Sequence, residues 1–388
     1  MFESVKRGRD LRLDFFRGLA LIIILVDHIP GSPLSLVTPG NFGFSDATET
    51  FIFISGFSAG IVYGQAMRSA GATYAATRVL QRAWQLYIAH IVLFVLSMGQ
   101  VSYSSATFSN PMYWEEMAAQ NFVLEPHVTI VQALLLTFQP AYMDILPMYI
   151  VLMVLLAPLL PLLRWNAVAT LALSFTVYGL VWLTHFNLPA YPEDRSWLFN
   201  PLAWQALFLL GVALGMDPAR ARRWMPKGRI WFALAAAYLL FALFIALTWR
   251  SPALDEMVPN WLRNVLYPMS KTNLALWRFA HFIALAYVMV RLLPFYERWL
   301  LVKAAEPVIV CGQHGLQVFC FGILLSFAGR VVATEFPMSF LRLLAIDLAA
   351  IALLIALAYF LGWQNVYRRP SPRPAEAARQ RTGAELAE

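Results

Sequence analysis

Charge is what this chain has least of. Asp, Glu, Lys and Arg make up 13% of its 388 residues, against 60% hydrophobic residues. A soluble domain carries about a quarter charged residues, so the ordinary soluble class is excluded and a polytopic membrane protein remains. Cysteine is nearly absent, with only Cys311 and Cys320. On one helix nine residues would set them about 180° apart and roughly 13 Å along the axis, too far to bridge, so they are expected to be packing residues. Also missing are a disulfide framework, metal-ligand spacing among the six histidines, a GxGxxG, a P-loop and an internal repeat. Their absence removes the sequence grounds for a metal centre or a nucleotide-hydrolysing engine. The net charge of +7 does not point to nucleic acid, because the basic residues recur between apolar runs and form no single stripe.

What is present in quantity is apolar sequence in helix-length pieces. Ten runs approach or reach the length needed to cross a hydrocarbon core of about 30 Å. They are Leu13 to Ile29, Thr50 to Gln65, Ala83 to Gly99, Asp144 to Leu163, Ala167 to Thr184, Pro201 to Met216, Ile230 to Trp249, Leu276 to Leu293, Val308 to Gly329 and Leu343 to Trp363. Counted over the alternating connections, Lys and Arg number twenty-one on one side and six on the other, with Arg17 and Arg278 inside helices. By the positive-inside rule this predicts an all-α polytopic membrane protein of about ten transmembrane helices with both termini cytoplasmic. The first run follows Lys6, Arg7, Arg9 and Arg12 like a signal peptide, but Asp14 and Arg17 interrupt it and no small-residue cleavage site follows. An uncleaved helix is expected.

The connection Gln100 to Met143 has no Lys or Arg and is expected on the outer face, with Val128 to Phe138 as an interfacial or re-entrant helix. The segment Arg250 to Ala275 is expected to face outward too. Residues 1–12 read as a cytoplasmic tail, 13–365 as the membrane domain, and 366–388, Pro-rich and charged, as a disordered cytoplasmic tail.

Against this background the stretch from Asp10 to Gly64 is anomalous, because it carries Asp14, Arg17, Asp27, His28, Asp46 and Glu49. A charge at a helix centre costs roughly 2.5–3.5 kcal/mol on insertion scales, so a cluster in a membrane segment marks a candidate active site. Arg17 and His28 are eleven residues apart and project from one helix face, about 16 Å apart along the axis. Asp14 lies on that face, and Asp27 points about a quarter turn away from His28. With entry from the cytoplasm, Arg17 falls toward the inner side and His28 near the outer end. Asp46 and Glu49 share a face at the start of the next helix, and a short loop returns them toward His28. The bland readings stand beside these: an interfacial histidine, and an arginine that snorkels or simply pairs with Asp14.

Further polar residues form a second tier. Lys271, Arg278 and His281 fall near one face if the eighth helix begins early, as a receptor for a carboxylate or as a basic mouth packed on acidic loops. Asn200, Trp204 and Gln205 open the sixth helix, and Tyr142 and Asp144 the fourth; their aromatics stack on sugars or belong to the headgroup belt. Gln313, His314 and Gln317 form a stripe on the ninth helix, for a site or for interhelical hydrogen bonds. His90, His127 and His185 read as structural or interfacial.

The segments LDFFRGLAL, VDHIP, GFSDATETFIFISG, YMDILPMY, FNPLAWQALFLLG, Trp277 to His281 and GQHGLQVFCFGILLSF, in this order, resemble the OpgC family of bacterial inner-membrane acyltransferases. That family is related to the acyltransferase-3-like group, whose signature of a basic residue, ten residues and a histidine is met by Arg17 and His28. The one departure is Gly315 after His314, where a serine is expected. The resemblance implies transfer of a succinyl or related acyl group from cytoplasmic succinyl-CoA, or another acyl-CoA, to hydroxyls of osmoregulated periplasmic glucans. It implies a multi-pass inner-membrane enzyme with lipid, donor and glucan as partners, no permanently bound cofactor and no nucleic acid. It puts His28 in the catalytic position and Arg17 in the donor-handling one, and Asp14, on the same face, joins Arg17 as a donor-site candidate. A sugar hydroxyl needs a base, for which His28 is the candidate, with Asp27 or the Asp46 and Glu49 pair to orient it or stabilise its protonated form. An acyl-histidine intermediate is the competing route. The rival from another class is a transporter or flippase for a glycan or lipid-linked anion, which ten helices and buried charges suit equally.

Overall fold

A computed structural model describes residues 10–293, 300 and 302–367 of the chain. The expectations for the tails beyond these bounds, and for Arg298, fall outside the described residues. Every regular element described is helical, and among the described residues the only β contacts are the isolated bridges Phe138–Tyr191 and Pro189–Ser196. The long helices are α1 (Leu11–Asp27), α2 (Ala47–Phe108), α3 (Ile145–Trp165), α4 (Ala167–Thr184), α5 (Pro201–Met216), α6 (Arg229–Thr248), α7 (Leu276–Leu292), α8 (Glu306–Gln313), α9 (Gly315–Glu335) and α10 (Phe340–Tyr367).

All ten apolar runs fall on helices, though not one to one. Among the described residues six helices are long and apolar enough to cross a membrane: α2, α3, α4, α6, α9 and α10. The helices α1, α5 and α7 have 17, 16 and 17 residues, at or just below the usual minimum. After α5 the chain bends by 114° into the short helix Pro218–Trp224.

Three sequence expectations change. The second and third runs lie in one helix, α2, because residues 66–82 hold no proline and many good helix formers and therefore stay helical. The two parts are separated only at Gly71, whose φ of 87° and ψ of 173° suit glycine alone. The same helix continues to Phe108, so the connection expected from Gln100 begins at Ser109. It then contains the short helices Met112–Glu116, Gln120–Leu124 and Pro126–Leu134. The ninth run is two helices, α8 and α9, broken at His314 with φ −110° and ψ 34°. The expected stripe of Gln313, His314 and Gln317 is therefore divided by the break.

Close helix crossings set the frame. Gly56 and Gly60 of α2 meet the carbonyls of Phe208 and Val212, while Gly211 and Gly215 of α5 meet those of Phe53 and Phe57. Reciprocal small residues four apart let two backbones touch, the packing that membrane helices use in place of a hydrophobic drive. At the crossing of α1 on α8, Gly18 meets Val308 O and Gly312 meets Asp14 O, so a side chain at either would strike backbone. That second crossing brings the α8–α9 break against Arg17. The cysteines are unbridged, Cys311 buried and Cys320 half-buried.

Candidate functional site

His28 is the C-cap of α1, where the helix ends and its ring leaves the apolar stack. Its Nδ1 lies 2.5 Å from the Ile24 carbonyl. A carbonyl only accepts, so Nδ1 carries the proton and Nε2 keeps the lone pair in the neutral ring. The ring meets Tyr142 edge-on, with centroids 4.5 Å apart and planes at 77°. Tyr142, in the turn before α3, has φ 70°. Arg330 of α9 donates through Nη2 to the Tyr142 hydroxyl and pairs through Nη1 with Glu116 at 2.9 Å. Asp144 is buried at the N-cap position of α3, where its side chain makes no capping hydrogen bond.

Beside this centre lies a group of acids and bases. Asp46 and Glu49 form a capping box at the start of α2: Asp46 accepts from Thr48 N at 2.7 Å, and Glu49 accepts from Asp46 N at 2.9 Å. The same carboxylates receive cations. Arg278 Nε donates to Glu49 Oε1 at 2.8 Å and its Nη2 lies 3.1 Å from Asp46 Oδ2, the oxygen that Lys271 Nζ reaches at 2.7 Å. Burial would push the Asp46 carboxyl up; Lys271 and Arg278 outweigh it and hold that carboxyl well below the usual range. Lys271 and Asp46 are also within electrostatic reach of His28.

One expectation is narrowed by this arrangement and one corrected. Asp46 and Glu49, candidates to orient His28 or to stabilise its protonated form, do not hydrogen-bond it, because the guanidinium of Arg278 satisfies both, while Asp46 keeps its electrostatic reach. Lys271 does not share a helix face with Arg278 and His281, because α7 begins at Leu276 and Lys271 reaches Asp46 from the preceding turn. His281 turns away from the group. Its Nδ1 accepts from the Ser45 backbone at 3.3 Å and lies 2.7 Å from Ser45 Oγ, and its ring fills the space beside Gly43. It holds the 43–45 turn that presents Asp46.

Arg17 lies at a second centre. Its Nη1 donates to Gly312 O at 3.3 Å and lies 3.6 Å from Asp14, and its Nη2 donates to Ser58 Oγ. With Arg82, Tyr63, Tyr149 and Ser55 it lines a cavity of about 230 Å³ between α1, both parts of α2, α3 and the α8–α9 break. Gly315 leaves room for it, since a Cβ there would sit 3.1 Å from Arg17 Cδ, which accounts for a glycine where a serine was expected.

The remaining candidates lie elsewhere. Trp204 is fully buried and donates to the Lys271 and Thr272 carbonyls at 3.1 and 3.2 Å, so it offers no face to a sugar and instead fastens the turn carrying Lys271. Gln205 is consumed by Ser174, accepting from its hydroxyl at 2.6 Å and donating to its carbonyl at 2.8 Å. Asp27 is the exception: exposed and beside the Thr38 hydroxyl, it stays within electrostatic reach of Asp46 and Lys271. His314 is half-buried at the helix break and does not line the Arg17 cavity.

Sequence reasoning missed the roles of Arg330, Glu116 and Arg82. In the sequence Arg330 and Arg82 are two of the basic residues counted between the apolar runs, and Glu116 is one residue of the Gln100 to Met143 connection. The only local signal was an arginine near the end of an apolar helix.

A family model described as OpgC protein matches residues 9–366. Comparison with curated proteins and with solved structures finds no match.

Proposed function

The chain belongs to the OpgC family, and on that premise we propose that it is a membrane-embedded O-acyltransferase that moves a succinyl or related acyl group from cytoplasmic acyl-CoA to a periplasmic glucan hydroxyl. Family membership supports a glucan-modifying transferase. The observation that carries the reading to a mechanism is the pair of polar centres eleven residues apart on α1, Arg17 in its cavity within the helix and His28 at the C-cap.

The proposed topology has ten crossings with both ends of the chain in the cytoplasm. The parts of α2 on either side of Gly71 count as two crossings, and α8 with α9 as one. The bias of twenty-one against six basic residues supports this orientation. Arg17 and Arg82 then lie toward the cytoplasm, where two guanidinium groups on one cavity suit the phosphates of acyl-CoA. His28, about 16 Å further along α1, lies toward the periplasm, where the glucan arrives. An extended donor arm running from one centre to the other brings the thioester to the acceptor.

At the periplasmic end His28 Nε2 takes the proton from the glucan hydroxyl as its oxygen attacks the thioester carbonyl. The Nδ1–H bond to Ile24 fixes the tautomer and supports the imidazolium formed. Collapse of the tetrahedral species breaks the C–S bond, and the leaving thiolate takes from His28 the proton that came from the glucan hydroxyl. Asp46, Glu49, Lys271 and Arg278 hold the mouth in shape and give it near-balanced charge.

The test is a proteoliposome assay with labelled succinyl-CoA and purified glucan. Label covalently attached to sugar is the expected result. Movement of intact substrate across the bilayer without acylation would overturn the reading in favour of a transporter.

A further inference from the structure

We infer that Tyr142 is the hydrogen-bond donor to the oxyanion formed during acyl transfer at His28, held in that role by Arg330. The inference rests on the acyltransferase reading above and adds a catalytic residue to it.

Three observations lead there. The Tyr142 ring packs edge-on against His28 with centroids 4.5 Å apart, so the phenol belongs to the same small space as the base. Arg330 has only donors to offer, so in its bond to Tyr142 the phenol oxygen is the acceptor. The phenol proton is therefore not used in that bond, and no acceptor takes it among the described residues. A phenol oxygen that accepts from a cation becomes a stronger donor, because successive hydrogen bonds polarise one another. Finally, Tyr142 is held at φ 70°, a left-handed conformation that a bulky residue adopts only where its surroundings impose it. Arg330 supplies part of that constraint and is itself anchored by Glu116 at 2.9 Å.

The chemistry needs such a donor. As the glucan oxygen bonds to the thioester carbon, the carbonyl π pair moves onto oxygen and the hydroxyl proton moves to His28 Nε2. The developing oxyanion accepts from the Tyr142 O–H, which stays on the phenol throughout. When the C=O bond reforms, the C–S bond breaks and His28 returns its proton to sulfur. No other reactant is required. Tyr142 touches the reacting oxygen, and Arg330, acting through it, is a positioning residue.

The experiment compares wild type, Tyr142→Phe, Arg330→Gln and the double variant in proteoliposomes, with His28→Ala as a reference. Loss of one oxyanion donor lowers kcat by on the order of 10²–10³-fold, and the expected result is such a fall in Tyr142→Phe with both substrate KM values within about twofold of wild type. Arg330→Gln is expected to lower kcat in the wild-type background and to add little in the Tyr142→Phe background, as coupled residues do. Wild-type kcat in Tyr142→Phe, or a raised KM at unchanged kcat, overturns the assignment while leaving the acyltransferase reading intact if His28→Ala is inactive. Equal, independent losses from the two substitutions overturn the role given to Arg330. Absence of acyl transfer by the wild type overturns the broader reading and this inference with it. Should Tyr142→Phe fail to fold, Arg330→Gln, which removes the cation that polarises the phenol, carries the test, and an unchanged kcat in that variant overturns the coupling.

Discussion

Arg278 and Glu49 form an ion pair in the interior of the bundle, Nε to Oε1 at 2.8 Å, with no solvent exposure at Glu49. The arginine also reaches Asp46 at 3.1 Å, so one guanidinium joins α7 to both acids that open α2. Taking one partner from such a pair leaves a buried charge without compensation, a loss of roughly 3–5 kcal/mol. Arg278→Met should therefore lower the unfolding temperature in detergent sharply, and adding Glu49→Gln should recover part of it. An unchanged melting curve in Arg278→Met would show that the pair does not hold the mouth.

His28→Ala should abolish label transfer while membrane abundance stays normal. The discriminating measurement is activity against the amount of folded protein, since among the described residues His28 makes no long-range hydrogen bond whose loss would unfold the bundle. Wild-type turnover in this variant would remove His28 from the chemistry.

Arg17→Ala should raise the donor KM with little change in KM for the glucan. Hydrogen bonds to charged groups contribute about 1.5–3 kcal/mol, or roughly ten- to a hundredfold in KM if the lost contact is to the donor. Arg82→Ala, on the same cavity, should shift donor KM in the same direction and leave the glucan KM alone. Steady-state kinetics with each substrate varied in turn checks both.

Gly312→Ala should destabilise the fold by about 1–3 kcal/mol, because a methyl there meets the backbone of Asp14 at the crossing of α1 on α8. Gly315→Ala should be milder, since its neighbour is the flexible stem of Arg17 at 3.1 Å. Thermal unfolding of the two variants side by side measures the difference, and donor KM should move in Gly315→Ala more than stability does.

Asp347→Ala should loosen the loop that follows His28. Asp347 lies fully buried on α10 and accepts from Ser32 Oγ at 2.7 Å and Leu34 N at 3.3 Å, and removing it leaves both donors unsatisfied. The expected loss is about 1–3 kcal/mol, with partial rescue by Asp347→Asn, which keeps an acceptor. Hydrogen exchange of residues 30–41 would register the loosening.

Much of this was legible before any coordinate. Composition dictated the membrane class, and all ten apolar runs fall on helices, because hydropathy and helix length are properties of neighbours in the chain. Arg17 and His28 stood out for the same reason: a charged residue and a histidine on an apolar helix are local anomalies. Pairing was not legible. Asp46 and Glu49 looked like partners for His28 by nearness in sequence, yet they bind Arg278, some 230 residues away. Trp204 and Gln205, which resembled a sugar platform, are spent on the 271–272 turn and on Ser174.

The sequence by itself determined where helices form and which of them carry charge, since both follow from side-chain chemistry within one or two turns. Only the tertiary structure decided what each charge meets. Glu116 and Tyr142 come from the connection between α2 and α3 and Arg330 from α9, and no periodicity links them to His28. They converge there because glycine-lined crossings bring the helices close enough for every buried donor and acceptor to seek a partner across the bundle, whatever its distance along the chain.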